Sequence, residues 1–288
     1  MTALHLRDQI PAMEKVDRLG WTSGFSLQSY GVKVGIRSND ETAIKRALEF
    51  LPGEWRETSN AAVQRLYSLY VTNGGAISGR RFNALYGNEH RLGRSRDVDE
   101  LFERLESNLR LFVAEYAKNR VFVHASVAGW KGKAIVIPGR SYSGKSTLVA
   151  ELVRAGATYY SDEYAVFDSR GRVHPFAKPL ELRNPGEYSQ ARVHVNEIGG
   201  RHGKKPLEVG LVVMTRFAEG NRWRPRRLTP GKGVLELLAN TVSARRDPLA
   251  ALHTLEKVAA RAVVLKGARG EAEKIAPEIL RRLEELRA

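Results

Sequence analysis

The sequence GRSYSGKS, residues 139–146, decides how this chain folds, because it fits the pattern G-x-x-x-x-G-K-[ST]. In proteins with this pattern, backbone N–H groups of the loop surround nucleotide phosphates, the lysine reaches the β- and γ-phosphates, and the last hydroxyl binds Mg²⁺. We therefore expect Lys145 and Ser146 to take these two roles. The predicted phosphate-binding residues are Gly139, Arg140, Ser141, Tyr142, Ser143, Gly144, Lys145, Ser146 and Thr147.

The residues on either side of this loop have the pattern that the motif requires. Residues 134–137 (AIVI) are a short β-rich run, and residues 147–154 (TLVAELVR) have helical character and end near Gly156, a typical C-terminal cap. A helix N-terminus, with its free N–H groups and positive dipole end, would then face the phosphates. The alternative is a solvated glycine–serine turn with an unused lysine, and the strand-loop-helix order favours nucleotide binding over it.

The composition limits the class of protein. The 288 residues are 42% hydrophobic, which is enough for a sizeable core in one large or two modest domains. There are no cysteines, so disulfides and thiolate metal sites are excluded. The sequence has no apolar run of membrane-spanning length and no N-terminal secretory signal pattern. Together with the nucleotide motif, these features predict a cytoplasmic protein without a membrane partner.

The net charge of +15 raises the alternative of a nucleic-acid partner. The basic clusters are scattered, however, and most lie in turn-like stretches, the densest being RWRPRR at residues 222–227. No recognition helix, zinc finger or stacking-aromatic motif accompanies them. The pattern favours a solvated surface and makes a nucleic-acid partner the less favoured interpretation.

The apolar periodicity divides the chain into two predicted domains. Residues 1–96 combine strand patterns with a helix pattern after Asp40, which indicates a small α+β domain of unknown role. A long helix with one apolar stripe is predicted from Asp97 to Lys118. We place the domain boundary just before this helix, so residues 97–288 form the domain that carries the nucleotide motif.

A histidine lies on the strand before the loop. Residues 120–128 (RVFVHASVA) are β-rich, and residues 129–132 (GWKG) have the composition of a hairpin turn. Pairing about that turn would set His124 opposite Ile137, within reach of the loop. There His124 would contact the γ-phosphate or relay a proton, although a lone strand histidine is more often structural.

Two adjacent carboxylates, Asp162 and Glu163, follow the loop after a helix and a short strand. Phosphoryl transfer needs a carboxylate that holds Mg²⁺ and one that orients or deprotonates the attacking hydroxyl. Alternation along a strand would point the two side chains to opposite faces, whereas a bulge or a strand end would let both serve. We expect Asp162 to be the base or the Mg²⁺ partner and Glu163 to share that role; the alternative is an acidic turn.

The order of these motifs resembles the C-terminal catalytic domain of HPr kinase/phosphorylase. In that family a histidine precedes the phosphate loop by about one hairpin and an Asp-Asp pair follows it, and VHAS, GRSYSGKST and SDE have this order here. ELRNPG, at residues 181–186, resembles the family's E-[IV]-R-G-x-G segment, and PGK, at residues 230–232, resembles its P-G-R loop. The resemblance covers roughly residues 100–265.

The resemblance implies an α/β fold, a P-loop kinase core with a mixed sheet of the HPr kinase/PEP carboxykinase type, preceded by the small α+β domain. The hairpin before the loop and the strand-rich C-terminal third also indicate a mixed sheet. The resemblance further implies an ATP- and Mg²⁺-dependent kinase that phosphorylates a hydroxyl, first of all serine, of a protein, peptide or metabolite. Glu181 would lie in its site, with Arg183 and Lys232 as charge clamps.

The chain departs from the family pattern at three positions. Glu163, Asn184 and Lys232 stand where the family has Asp, Gly and Arg. These changes affect the segment associated with dephosphorylation, so the pattern indicates the branch of related kinases with other substrates rather than a reversible kinase/phosphorylase. The alternative is a nucleotide-dependent switch or binding module, either alone or in association with nucleic acid. The sequence leaves open whether the chain forms a homo-oligomer.

Overall fold

The computed structural model describes residues 12–60, 62–72, 82–140, 143–176, 178–183 and 190–286. Its contacts divide the chain after Lys118 into two compact units, called here the N-terminal unit and the C-terminal unit. Across the described ranges, no helix is both long enough and apolar enough to cross a membrane.

The N-terminal unit is built on a six-stranded sheet. Its strands are β1 (Ser23–Ser29), β2 (Val32–Ser38), β3 (Trp55–Glu57), β4 (Arg65–Tyr70), β5 (Asn83–Gly87) and β6 (His90–Ser95). Its helices are α1 (Ala12–Asp17), α2 (Glu41–Ala47), a 3₁₀ turn (Leu48–Phe50) and α3 (Val98–Tyr116). The strand order is β3-β1-β2-β4-β5-β6, and only β2 and β4 run parallel.

Helix α3 belongs to the N-terminal unit because its apolar stripe packs on β5 and β6. Leu101 and Leu105 on this stripe are fully buried. At the C-terminal end of α3, the N–H of Lys118 donates to the carbonyl of Tyr30 at 2.8 Å, which ties the chain back to the turn between β1 and β2. The boundary between the units therefore lies after Lys118 and not before Asp97, where the sequence places it.

The C-terminal unit contains the remaining elements. Its strands are β7 (Val121–Trp130), β8 (Lys133–Pro138), β9 (Thr158–Ser161), β10 (Tyr164–Phe167), β11 (Arg172–His174), β12 (Leu180–Arg183), β13 (Gln190–Val193), β14 (Leu207–Phe217), β15 (Arg226–Arg227) and β16 (Val263–Arg269). Its helices are α4 (Lys145–Arg154), α5 (Pro230–Leu238), α6 (Pro248–Arg261) and α7 (Ala272–Glu285), with 3₁₀ turns at Val195–Ile198 and Val242–Arg245.

The main sheet of the C-terminal unit is mixed. Its order is β11-β10-β7-β8-β14-β16-β15, and β9 pairs with β7 beside β10. Strand β14 runs parallel to both β8 and β16, while β7 is antiparallel to β8, β9 and β10. Strands β12 and β13 form a separate antiparallel pair. The fold is thus mixed α/β, as expected from the hairpin and the strand-rich C-terminal third.

Helices cover both faces of this sheet, so its central strands are buried on both sides. Val127 and Val136 belong to the apolar cluster with residues of α5 and α6, whereas Ala128 and Ile137 belong to the cluster with α4 and α7. Successive side chains of a strand point to opposite faces. The even-numbered residues of β7 therefore share the face of the sheet on which α4 lies, and His124 is one of them.

Candidate functional site

The loop of residues 139–146 joins the end of β8 to the start of α4. Gly144 is the N-terminal cap of α4 and has a φ of +83°, a left-handed conformation that glycine adopts without strain. Because glycine has no side chain to bond to the first N–H groups of the helix, this helix end suits an anion. Two predicted phosphate-binding residues, Ser141 and Tyr142, lie outside the described residues.

Two further loop residues pack closely against each other. A Cβ atom at Gly139 would lie 2.7 Å from Oγ of Ser143, so a larger residue here would displace the Ser143 side chain. The Ser143 hydroxyl is buried and has no hydrogen-bond partner among the described residues. Arg140 and Thr147 are exposed at the two ends of the loop. The loop thus offers a buried hydroxyl donor and two exposed polar side chains beside the helix end.

Lys145, the first residue of α4, folds its side chain back over the loop. Its ammonium donates to the carbonyl of Arg140 at 2.8 Å. Burial lowers the pKa of Lys145, and the nearby charge of Asp162 opposes that change. The ammonium group of Lys145 is therefore held at the loop, next to the carboxylate of Asp162.

The hairpin before the loop turns later than the sequence predicts. Trp130 pairs with Lys133, so the turn consists of Lys131 and Gly132 alone. Both turn residues have positive φ, +46° and +81°. This geometry matches the two-residue hairpins whose twist fits that of the flanking strands. The predicted four-residue turn, residues 129–132, is wrong because its first two residues, Gly129 and Trp130, continue β7.

The observed register moves His124 to the entrance of the loop. Ile137, its predicted partner, pairs with Ser126 instead. The carbonyl of His124 accepts the N–H of Gly139, the first residue of the loop, at 3.2 Å. The predicted pairing of His124 with Ile137 is therefore wrong. The observed register places His124 closer to the loop than that pairing would.

The His124 ring packs on Tyr164, with 4.8 Å between ring centroids. Although the side chain remains exposed, removal of water by its neighbours lowers the pKa of His124; Glu163 opposes this effect and Lys145 adds to it. A lowered pKa keeps the imidazole neutral at pH 7, the form that accepts a proton.

Asp162 lies directly across from Ser126 on the neighbouring strand. The pairings next to these two residues share one register, and the register shifts only beyond them, between Val127 and Ala128. Ser126 Oγ donates to Asp162 Oδ1 at 2.7 Å, and both side chains are buried. The hydroxyl of Ser146 lies near enough to this carboxyl to lower its pKa. The structure therefore brings together Asp162 and Ser146, which the sequence pairs as metal-binding residues.

Burial dominates the electrostatics of Asp162 and raises its pKa to about 6. The hydrogen bond from Ser126, the nearby hydroxyl of Ser146 and the charges of Lys178 and Lys145 oppose this rise. A carboxyl group with such a pKa is ionised at neutral pH and is still basic enough to take part in proton transfer.

The chain bends at Asp162 and Glu163 between β9 and β10. Ser161 Oγ fixes the bend by accepting the N–H groups of Glu163 and Tyr164 at 3.2 and 3.1 Å. Lys178 Nζ lies 3.5 Å from Glu163 Oε2 and also acts on the charge of Asp162. The bend thus brings both carboxylates near one cation, the second of the two arrangements that the sequence left open.

The residues assigned by resemblance alone are placed differently. Glu181 Oε1 lies 3.0 Å from Lys178 Nζ, so Glu181 joins the site through that lysine. Arg183 pairs with Gln190 through the backbone of β12 and β13, and its side chain lies outside the described part of the chain. The structure thus connects Glu181 to the site and leaves the Arg183 clamp a prediction.

Lys232 is exposed in the first turn of α5. The other end of this helix approaches the site, because the carbonyl of Asn240, just after α5, accepts the N–H of His124 at 2.8 Å. No contact joins Lys232 to the described residues of the loop. Helix α5 therefore reaches the site by its C-terminal end, and a clamp role for Lys232 stays a prediction.

The structure adds three residues that the sequence did not single out, Ser126, Lys178 and Arg269. Arg269, at the end of β16, is 2% exposed. Its guanidinium donates to the carbonyls of Gly144 at 2.7 Å and Gly270 at 2.8 Å. Its Nε has no partner among the described residues. A buried cation thus holds the peptide that caps α4.

One of these residues had a signal in the sequence. Ser126 stands two positions after His124 on one strand, so alternation puts both on one face. Lys178 and Arg269 had none, because their positions depend on the path after β11 and on the parallel order of β8, β14 and β16.

The site suits Mg²⁺ only as an ion shared with a substrate. Among the described residues, no group of three His, Cys, Asp or Glu side chains is placed to hold a metal. Mg²⁺ is usually bound by one or two carboxylates together with water and substrate phosphates. Asp162 and the nearby hydroxyl of Ser146 supply a donor set of this kind.

No protein-family model matches the chain, and no curated protein matches it either. Among solved structures, it is similar to the Hpr(Ser) kinase/phosphatase from Coxiella burnetii. The two are 14% identical, the match covers 58% of this chain and 97% of the other, and the TM-score is 0.31. The structural relationship is distant.

Proposed function

We propose that this chain is an ATP-dependent kinase that transfers the γ-phosphoryl group to a hydroxyl, with serine as the first acceptor to test. The observation that carries the proposal is the buried Ser126–Asp162 pair, with Ser146 of α4 close enough to lower the pKa of Asp162. A carboxylate is costly to bury, and this one is kept beside a helix end and a lysine that suit phosphate.

The loop would hold the triphosphate through its backbone N–H groups and the first turn of α4. Lys145 would leave the Arg140 carbonyl and pair with the β- and γ-phosphates. Ser146 would hold Mg²⁺, which supplies neutralisation of the phosphate charge, and Asp162 would be either the second protein ligand of the ion or the base. The Ser143 hydroxyl and the exposed Arg140 and Thr147 lie where they can complete this contact set.

In the transfer, the acceptor oxygen forms a bond to the γ-phosphorus while the bond from that phosphorus to the bridging oxygen of ADP breaks. The proton of the acceptor hydroxyl passes to a base. Asp162 is the first candidate, and neutral His124 at the loop entrance is the candidate that relays the proton onward. Glu163, which lies beside Lys178, shares the acidic role, and the charge of Lys178 also favours the ionised form of Asp162.

The experiment uses γ-labelled ATP, Mg²⁺ and the purified protein with an extract of its source cells. Label on a discrete, acid-stable acceptor, lost with Asp162→Asn, supports a hydroxyl kinase and identifies its substrate. Arg56→Gln, an exposed substitution in the N-terminal unit, is the matched control and should transfer label normally. Tight ATP binding with no label transferred by any sample would instead support a nucleotide-dependent switch or binding module.

A further inference from the structure

A cavity of about 270 Å³ opens on the sheet of the N-terminal unit. Tyr70, Phe82 and Tyr86 form its aromatic wall, and Arg91 and Arg94 lie at its edge. This volume falls just below the roughly 300–1,000 Å³ typical of small-molecule sites. It is large enough for one aromatic side chain of a larger partner.

The cavity lies on the face of the sheet that α3 does not cover. Leu85 and Gly93 pair across β5 and β6 and point to α3, since a Cβ atom at Gly93 would lie 3.2 Å from Leu101. Alternation turns their neighbours to the other face. There Tyr70, Ala84 and Arg94 form one cross-strand row. The register shifts after Leu85, so Tyr86 pairs with Arg91, and this irregularity lets Arg91 line the same cavity.

The two arginines of the cavity carry charge that no described carboxylate neutralises. The guanidinium carbon of Arg94 lies 3.9 Å from the ring centroid of Phe82, which holds this side chain flat against the wall. Several other arginines of the unit are paired with carboxylates, for example Arg37 with Asp17, Arg46 with Asp99 and Arg104 with Glu100. Uncompensated guanidinium groups beside aromatic rings suit a partner that combines carboxylates with an apolar group.

Both arginines belong to β6, which is the last strand of the described sheet. An edge strand presents a row of N–H and C=O groups to which an extended peptide can add as a further strand. A nucleic acid cannot pair with these backbone groups as a further strand. A cavity that holds a single side chain is also too small to bind several bases. The edge strand therefore favours a peptide over a nucleic acid as the occupant.

We propose that the N-terminal unit binds an extended acidic peptide segment, which adds alongside β6 and inserts one aromatic side chain into the cavity. In a strand, residues two apart share a face. Carboxylates two positions before and two positions after the aromatic residue would then reach Arg91 and Arg94. This site is independent of the phosphoryl transfer proposed for the C-terminal unit.

The probe is a fluorescein-labelled peptide with the core Glu-Thr-Phe-Thr-Glu, in which threonine favours an extended backbone. Binding to the full chain is followed by fluorescence anisotropy at low salt. We expect saturable binding, and we expect Arg91→Gln and Arg94→Gln each to weaken it about tenfold, the usual effect of losing a charged hydrogen bond. Arg56→Gln, an exposed arginine on the opposite edge strand β3, should leave the affinity unchanged.

Three variant probes separate the contributions. Replacing both glutamates by glutamine tests the charges, replacing phenylalanine by alanine tests the cavity, and N-methylation of alternate backbone amides tests strand addition; each should weaken binding at least about tenfold. Circular dichroism confirms that the protein variants fold. The proposal is overturned if the peptide fails to bind, if neither arginine variant alters its affinity, or if short oligothymidylate binds in its place with the same dependence on Arg91 and Arg94.

Discussion

The Asp162→Asn variant should be more stable than the wild-type protein at neutral pH while it loses phosphoryl transfer. Burial raises the pKa of this carboxyl from 3.8 to about 6, so ionising it in the folded protein costs about two pKa units. At roughly 1.4 kcal/mol per unit, the cost is about 3 kcal/mol. An amide carries no charge, so the variant avoids this cost.

The sign of the pH dependence follows from linkage. A carboxyl whose pKa is raised by folding contributes stability that is fully present below the unfolded value of 3.8 and lost as the pH rises through about 6. The asparagine at this position does not titrate. The stability advantage of the variant should therefore grow by about 3 kcal/mol between about pH 4 and pH 7.5.

The assay is urea unfolding with EDTA and without nucleotide. To report on the C-terminal unit, the fluorescence of Trp130 and Trp223 is followed in a background where Trp21 and Trp55 are phenylalanine. A stability difference that stays constant across this pH range, or a variant less stable than wild type at pH 7.5, would refute the reasoning.

Asp168→Asn provides a control of opposite sign. Burial raises the pKa of Asp168, but hydrogen bonds from His174, Arg172 and the N–H of Arg170 outweigh this and lower it to about 2. The stability that this carboxylate contributes is present above pH 3.8 and lost as the pH falls through about 2. This variant should therefore be less stable than wild type at pH 7.5.

Three further predictions concern the loop. Lys145→Met should weaken ATP binding and cost several kcal/mol of transition-state stabilisation, about as much as other preorganised charged groups, which titration with ATP and single-turnover transfer would measure. Gly144→Ala should lower the free energy of unfolding by at least about 1–2 kcal/mol and weaken ATP binding, because its φ is +83° and the new Cβ would lie 2.5 Å from Arg269 Nη2; equal urea midpoints would contradict this. Ser126→Ala removes a hydrogen bond that lowers the pKa of Asp162, so the acidic limb of the rate profile should move up by about one pH unit, and an unmoved limb would exclude Asp162 as the titrating group.

Local patterns predict the elements of this chain well. Asp40 caps α2 as expected, its carboxylate accepting the N–H of Ala43 at 3.0 Å. The strand-loop-helix unit around residues 139–146 is present, because a glycine loop between an apolar strand and an amphipathic helix has few other arrangements. Such features depend on neighbours within a few residues.

Long-range placement is where the sequence falls short. The turn at Lys131 and Gly132 requires two positive φ angles. Lysine rarely adopts one, so the sequence does not predict the turn there, and the predicted register of β7 against β8 is wrong. Helix α3 has an apolar stripe that suits either unit, and only packing assigns it to the first. Lys178 lies beside Glu163, but the segment that carries Lys178 has no periodic pattern. The sequence therefore does not predict this contact.

The hydrogen bond from Arg269 to Gly144 joins residues 125 positions apart in the chain. On a ribosome, the loop of residues 139–146 therefore leaves the tunnel long before the strand that fixes the cap of α4 has been made. Closing so long a loop also slows folding, because its entropy must be lost before the contact forms. Under the proposed function, we therefore expect a nascent chain that ends before β16 to bind ATP less tightly than the full chain.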